Sequence, residues 1–281
     1  YRRVSTMRGI QLSLFDTKHT RMDDLVDESF WAYHAGMADG DGCITSDFTY
    51  SLNLVDRNVI EEIANLYKVS ITKVIRRKKC HQQMYRCSLY SNNAKHFISR
   101  IAPYLIEKRK STAELCKKFN VEIEKPSTDP NLRFVWLAGY FDAEGHVRMR
   151  NSYDERSKNY CFDIRLRFTS TNILVLRFIR RLINKYFNSN GEKSIINLFS
   201  KGAIRGNRKK GWDLEISQTA KVHLFAKVFE QMVKIKRKKK TFKRIIDYAR
   251  FCAWQKWQFG RINFKKNTEL RERWLKASEM E

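Results

Sequence analysis

No stretch of this chain stays apolar for the roughly 18 residues that a membrane-spanning helix needs, so a membrane partner is not expected. No CxxC pair occurs among its six cysteines, Cys43, Cys80, Cys87, Cys116, Cys161 and Cys252, and none has a zinc-finger arrangement of histidines behind it. Free thiols in a reducing intracellular compartment are the simplest reading. Cys80, His81 and Cys87 stand close together, but a fourth ligand at a regular spacing is lacking. Proline is scarce, and two of the three prolines fall in residues 122–131, EIEKPSTDPN, which have no periodic apolar face and read as a linker. Acids are few: 30 Asp and Glu face 56 Lys and Arg, a formal charge of +26. So one-sided a balance calls for a polyanion, and without a membrane span the favoured polyanion is nucleic acid. No terminal Cys or Ser with a His-Asn junction is recognisable, so self-splicing is set aside. The chain begins at Tyr1, reads as a trimmed or processed piece, and has nothing like a signal peptide at its start.

What is present is a pattern that occurs twice. HAGMADGDG at 34–42 and LAGYFDAEG at 137–145 each follow an aromatic-rich apolar run and each end acid, small residue, acid, glycine. The surrounding text repeats as well. Phe30, Tyr33, His34 and Met37 fall at helical spacings after Asp27 or Ser29 as caps, and the helix is expected to stop at Asp39-Gly40-Asp41-Gly42. Residues 43–54 then alternate, Ile44, Phe48, Tyr50, Leu52 and Leu54 on one face and Thr45, Asp47, Thr49, Ser51 and Asn53 on the other. That alternation predicts a half-buried antiparallel sheet. A helix at 58–67, strands at 69–77 and 83–90, and helices at 93–104 and 108–119 complete the first half. After the linker the order returns: helix 132–141, strands 146–151 and 160–169, helix 172–187, strands 193–199 and 212–218, helices 221–233 and 238–251.

The fold class is therefore α+β in two pseudo-symmetric halves, 25–121 and 132–258. A basic arm at 1–24 reads equally as a disordered tail or a DNA-tracking arm, and a charged tail at 259–281 carries Leu270 and Trp274 as anchors of a last helix. A weaker echo sets YLIEKRKS at 104–111 beside MVKIKRKK at 232–239, pairing Lys108 with Lys236 and Arg109 with Arg237. The second half is longer, and its excess is assigned to the connections at 151–159 and 201–211.

The residue types of the repeated pattern have a physical logic. Two helices cross closely only where the contact residues are small, which Ala35-Gly36 and Ala138-Gly139 provide. The acids at Asp41 and Glu144 lie just past the ends of those helices, so close packing brings two carboxylates together. Like charges at such a distance repel unless something intervenes, and divalent cations with oxygen ligands are the natural solution. Gly42 and Gly145 let the chain turn into the first strand without a side chain in the way.

On these residues the chain resembles the LAGLIDADG homing endonucleases of the single-chain, two-motif type, over roughly residues 27–255. The resemblance implies αββαββα halves, antiparallel sheets forming a DNA-binding saddle, and motif helices packed at the centre. It carries catalytic metal binding to Asp41 and Glu144, with Gly40 and Ala143 as further metal contacts, and gives Asp39 and Asp142 a structural role. It implies a monomer using two or three magnesium ions, with manganese or calcium able to substitute in binding, that hydrolyses both strands of a long asymmetric DNA target and leaves short 3′ overhangs. Such ions lower the pKa of a bound water, clamp the phosphate and stabilise the departing 3′ oxygen. The family also places a basic residue near each site, which suggests Lys108 and Lys236. The same KRK and KIKRKKK runs read equally as solvated, phosphate-tracking helix ends or a localisation signal. His34 stands where the family has Leu and Ala38 where it has a larger aliphatic; His34 reads as a satisfied seam or core histidine.

The strand faces are the expected reading surface in the major groove: Thr45, Asp47, Thr49, Ser51 and Asn53, with Arg86 and Ser88, in the first half; Arg148, Arg150, Asp163, Arg165 and Arg167, with Asp213, Glu215 and Ser217, in the second. A merely solvated sheet face would look the same. Asp56 or Arg57, and Ser170 or Thr171, are candidates to orient solvent. Two other functions fit the text: a maturase binding its host group I intron RNA, and a DNA-binding protein that keeps the fold without cutting. The sequence does not choose between mitochondrion, chloroplast and prokaryotic cytoplasm.

Overall fold

The structure, a computed structural model, describes residues 26–74, 82–154, 159–187, 196–200, 211–217 and 219–259, and their side chains except at 149–154, 159–163, 219–220 and 251–259. The arm at 1–24, Cys80 and His81, the connection at 201–210 and the tail beyond 259 lie outside the described residues.

Helix α1 (Glu28–Gly40) starts where Asp27 accepts hydrogen bonds from the Ser29 backbone and hydroxyl. It leads into β1 (Gly42–Ile44), β2 (Tyr50–Leu54), α2 (Arg57–Tyr67), β3 (Thr72–Val74), β4 (Met84–Leu89), α3 (Ser91–Ile101), a 3-10 turn (Ala102–Tyr104) and α4 (Arg109–Lys118). The second half repeats this order with α5 (Leu132–Glu144), β5 (Gly145–Asp154), β6 (Asn159–Ser170), α6 (Ile173–Phe187), β7 (Ile196–Ser200), β8 (Trp212–Ile216), α7 (Thr219–Phe229) and α8 (Lys236–Phe259). The sheets are antiparallel and equivalent, ordered β1-β2-β4-β3 and β5-β6-β8-β7. The doubled α+β architecture expected from the sequence is thus present, motif helices included.

Two patterns of burial explain the layering. Helix α2 buries one stripe, Val59, Ile60, Ile63 and Ala64, and α6 the equivalent Val175, Leu176, Ile179 and Ile183, as helices lying on a sheet must. Helix α1 is instead buried without a break from Trp31 to Asp39, and α5 from Trp136 to Asp142. Buried all round, these two form the centre of the molecule against each other. Tyr50, Leu52 and Leu54 on one sheet, and Ile164, Leu166 and Phe168 on the other, face the helices and leave the alternate positions outward. No helix among the described residues is long and apolar enough to cross a membrane.

One stretch departs from the periodic reading. The alternation at 43–54 is broken by a turn in which the Thr45 N–H donates to the Thr49 carbonyl and Phe48 takes the left-handed conformation, φ 61°. Phe48 nevertheless points inward, buried, with its ring centroid 5.1 Å from that of Phe119. Thr45, Asp47 and Thr49 therefore sit in a turn rather than on a strand face, because the core anchor at Phe48 keeps the apolar period while the backbone reverses.

Candidate active site at the foot of the motif helices

The seam comes first, since it fixes where the acids lie. A Cβ added at Gly36 would sit 2.0 Å from the Trp136 carbonyl oxygen, and one at Gly139 would sit 2.0 Å from that of Tyr33. Both contacts are with backbone, so only glycine permits the crossing. Ala35 and Ala138 flank it, fully buried. At the foot a Cβ on Gly40 would meet the Ala143 Cβ at 2.3 Å and the Glu144 Cγ at 3.2 Å. The helices thus remain in contact up to the residues that carry the outer acids, and Gly40 and Ala143 face each other across the seam.

The inner acids lock the crossing. Asp39 accepts hydrogen bonds from the Ile106 N–H at 2.7 Å, the Lys108 N–H at 2.8 Å and the Trp136 indole N–H at 2.9 Å. Asp142 accepts from the Tyr33 hydroxyl at 2.5 Å and from the Lys234 and Ile235 N–H groups at 2.7 and 3.1 Å. Each carboxylate therefore ties its own helix to the chain entering the last helix of its half, and to an aromatic on the opposite motif helix. Burial raises the pKa of both, and these donors oppose the rise. Neither is open to a ligand, as the structural role implied.

The outer acids differ. Asp41 is exposed and Glu144 half-buried, so both can be reached from solvent. Neither side chain has a protein hydrogen-bond donor among the described residues. Crowding by the surrounding protein pushes both carboxyls above their usual range; for Glu144, the charges of Asp41 and Glu107 push further, while Lys238, Lys108 and Arg237 draw Asp41 back. Two carboxylates thus share a small, electrostatically coupled space.

Beside them stand two lysines. Lys108 Nζ donates to the carbonyls of Ala38, Asp39 and Gly42, the last two at 3.0 and 2.7 Å. In the second half the equivalent residue is Lys238, whose Nζ donates to the Phe141 and Asp142 carbonyls, each at 2.7 Å. The pairing of Lys108 with Lys236 is corrected here: Lys236 is the exposed first residue of α8. The similar text is out of step by two residues, because the loops reach the motif helix from Leu105 and Ile235, both fully buried, and the lysine follows each by three. An ammonium has three donors, so Lys108 is saturated by carbonyls, and its cation lies on the negative end of α1. Burial lowers its pKa, and that of Lys238 falls to about 8.

His34 lies off this site. Its Nε2–H donates to Glu62 at 3.2 Å, while its Nδ1 is buried without a partner. Of the solvent-orienting candidates, Asp56 faces Arg237 Nε at 3.4 Å, Arg57 pairs with Glu61 at 2.9 Å, Ser170 is buried with its hydroxyl accepting the Asn172 N–H, and Thr171 is exposed.

On the first sheet Ser51 lies beside Ser88 and Asn53 beside Arg86, all pointing outward, and the Arg86 Nε–H donates to Asn53 Oδ1 at 2.7 Å. On the second, Arg148 lies beside Arg165, His146 beside Arg167, and Arg150 beside Asp163, whose side chains lie outside the described residues. Asp213 and Glu215 are buried beneath these arginines. Glu215 takes Arg165 at 3.0 Å and Arg167 at 2.6 Å, and Asp213 takes Arg167 at 3.3 Å. The two acids hold the arginine fan rather than offering themselves to a ligand, which corrects their place among the reading residues. Ser217 follows the end of β8, half-buried. His146, not singled out in the sequence, is exposed on the same face by its register with Arg167.

No protein-family model matches the chain. An intron-encoded DNA endonuclease of Dictyostelium discoideum, ai2b, is 32% identical over 83 residues, which take in 29% of this chain and 30% of that protein. Among solved structures, the LAGLIDADG meganuclease I-AabMI bound to uncleaved DNA matches with a TM-score of 0.52 at 16% identity, over 82% of this chain and 92% of its own. A mutant of I-SmaMI matches at 0.51 and 12%, over 82% and 93%. The I-LtrWI LAGLIDADG homing endonuclease bound to target DNA matches at 0.50 and 13%, over 80% and 91%. With one motif helix from each half packed at the centre of the molecule and the same architecture around them, the chain has the fold of the LAGLIDADG homing endonucleases.

Proposed function

We propose that this chain is a site-specific DNA endonuclease of the homing type, acting as a monomer with divalent metal to hydrolyse one phosphodiester in each strand of a long asymmetric duplex target. The observation that carries the reading is the pair Asp41 and Glu144, set at equivalent ends of two helices in backbone contact and without protein donors. The donor set fits a hard cation such as magnesium: two accessible carboxylates whose mutual repulsion an ion would relieve. Among the described residues no group of three or more His, Cys, Asp or Glu side chains is arranged to hold a metal alone. The remaining oxygens would be those of water and the DNA phosphate, so that full coordination and substrate arrive together. A bound ion supplies Lewis acidity to the phosphate and acidifies water. In each strand one water is consumed, a P–O3′ bond breaks, and short 3′ overhangs result.

The chain's own residues supply position. Lys108 and Lys238 clamp the carbonyl ends of α1 and α5, which fixes the acids two residues beyond Asp39 and Asp142. Their ammonium groups also lower the cost of a phosphate near two carboxylates. Ser51, Asn53, Arg86 and Ser88 on one sheet, and His146, Arg148, Arg165 and Arg167 on the other, face outward to read base edges. At register-equivalent positions the halves differ, Ser51 against Arg167, Asn53 against Thr169, Arg86 against Asp213 and Ser88 against Glu215, which supports a target without palindromic symmetry. A groove of about 1240 Å³ between α4 and α6 contains neither acid; the site is an open foot suited to a duplex rather than a pocket for a small molecule.

Selection of cleavable sites from a randomised duplex library with magnesium tests the reading. One long asymmetric sequence class, cut on both strands, is expected. Tight binding without cleavage under magnesium or manganese would replace it with a non-cleaving DNA-binding function.

A further inference from the structure

The two halves agree closely around the site, yet one equivalent pair of positions carries opposite charges. The residue immediately before the lysine that clamps each motif helix is Glu107 in the first half and Arg237 in the second. Both reach across the seam into the other half. Glu107 accepts from the Tyr140 hydroxyl at 3.5 Å, and Tyr140 stands one helical turn before Glu144 on the same face of α5. Arg237 Nε lies 3.4 Å from Asp56 Oδ2, at the start of α2 in the half that carries Asp41. Glu107 therefore adds a negative charge to the surroundings of Glu144, and Arg237 a positive one to those of Asp41.

We propose that Glu107 and Arg237 are positioning residues that make the two strand-cutting sites unequal, so that the site of Glu144 holds its divalent ion more tightly and its DNA strand is cut first. This rests on the proposed endonuclease function. An extra carboxylate attracts a cation and repels a phosphate, and a guanidinium does the reverse. The Glu144 site is thus metal-favouring and the Asp41 site phosphate-favouring. At limiting metal the order of cutting is fixed by protein charge, independent of the target sequence.

Calcium is titrated calorimetrically into the protein bound to its selected target, and a supercoiled plasmid carrying that target is cut at limiting magnesium with each strand's nick mapped. The wild type is expected to show two classes of calcium site and a nicked intermediate broken in one strand only. Glu107→Gln should weaken the tighter class by about tenfold and level the two nicking rates, and Glu107→Asp should retain the order. Arg237→Gln should tighten the weaker class. Without metal, Glu107→Gln should bind DNA more tightly than wild type and Arg237→Gln less tightly, a readout that needs no catalysis. Equal calcium classes with simultaneous nicking in the wild type would overturn this inference and leave the function standing. An unaltered nicking order in both neutral variants, with folded protein, would overturn it equally. Absence of calcium binding and of any nick would instead overturn the endonuclease reading itself.

Discussion

Tyr33 and Trp136 occupy matching places on the two motif helices, and each gives its polar hydrogen to the other helix's inner acid. The sequence assigned Asp39 and Asp142 to structure, but their donors were not legible in it: the partners are far apart in the chain, and four of the six are backbone N–H groups. His34 was legible as a core residue, though not what it holds. Its imidazole bridges α1 to Glu62 on α2, and Glu62 also takes the Lys234 ammonium at 2.5 Å. Burial puts the folded pKa of His34 below its ordinary 6.5, so between those values the unfolded chain binds a proton that the folded one refuses. Stability is then lost as pH falls below 6.5. Glu62, held below its usual value by His34 and Lys234, acts in the same direction at lower pH. His34→Leu should remove the first part of this acid sensitivity, a slope of at most about 1.4 kcal/mol per pH unit. Denaturant unfolding at pH 7, 6 and 5 checks it; an unchanged slope would mean that His34 takes up its proton as readily in the folded chain as in the unfolded one.

At the scale of elements, the helices and most strands followed from periodicity, because burial on one face leaves a regular trace in the text. Three features did not. The β1–β2 turn was hidden because Phe48 keeps the apolar alternation while adopting positive φ. Lys238 was missed because similar basic text drew the pairing to Lys236, whereas the buried Leu105 and Ile235, each three residues before the clamping lysine, give the spatial register. Asp213 and Glu215 alternate like reading residues, and only cross-strand pairing places Arg165 and Arg167 over them. The upper seam at Gly36 and Gly139 was legible, since small residues in both motifs can serve little but close approach, whereas its continuation at Gly40 and Ala143 was not. Gly36→Ala should destabilise the protein by about 3 kcal/mol or more, because its Cβ would meet backbone on a helix that cannot retreat without moving the site. Chemical denaturation measures the loss; a cost under about 1 kcal/mol would show that the helices can part.

At the scale of the molecule, the pseudo-twofold arrangement is broken in charge more than in fold. On one side the chain around α8 is fastened to α2 by Lys234 with Glu62, Arg237 with Asp56, and the Asn58 amide donating to the Lys234 carbonyl at 2.9 Å. On the other, α4 and α6 flank the open groove, with Arg109, Lys110, Arg177, Arg180 and Arg181 along it. A net charge of +26 spread over such a frame attracts a polyanion regardless of its sequence. Cutting therefore has to be separated from binding in any test of the two acids. The decisive measurement uses Asp41→Asn and Glu144→Gln singly, on the selected target with magnesium, recording affinity and the breakage of each strand together. Each variant is expected to bind the target within a few-fold of wild type while double-strand cutting falls by roughly a thousandfold or more. Retention of wild-type double-strand cutting in either variant would contradict the paired-carboxylate account.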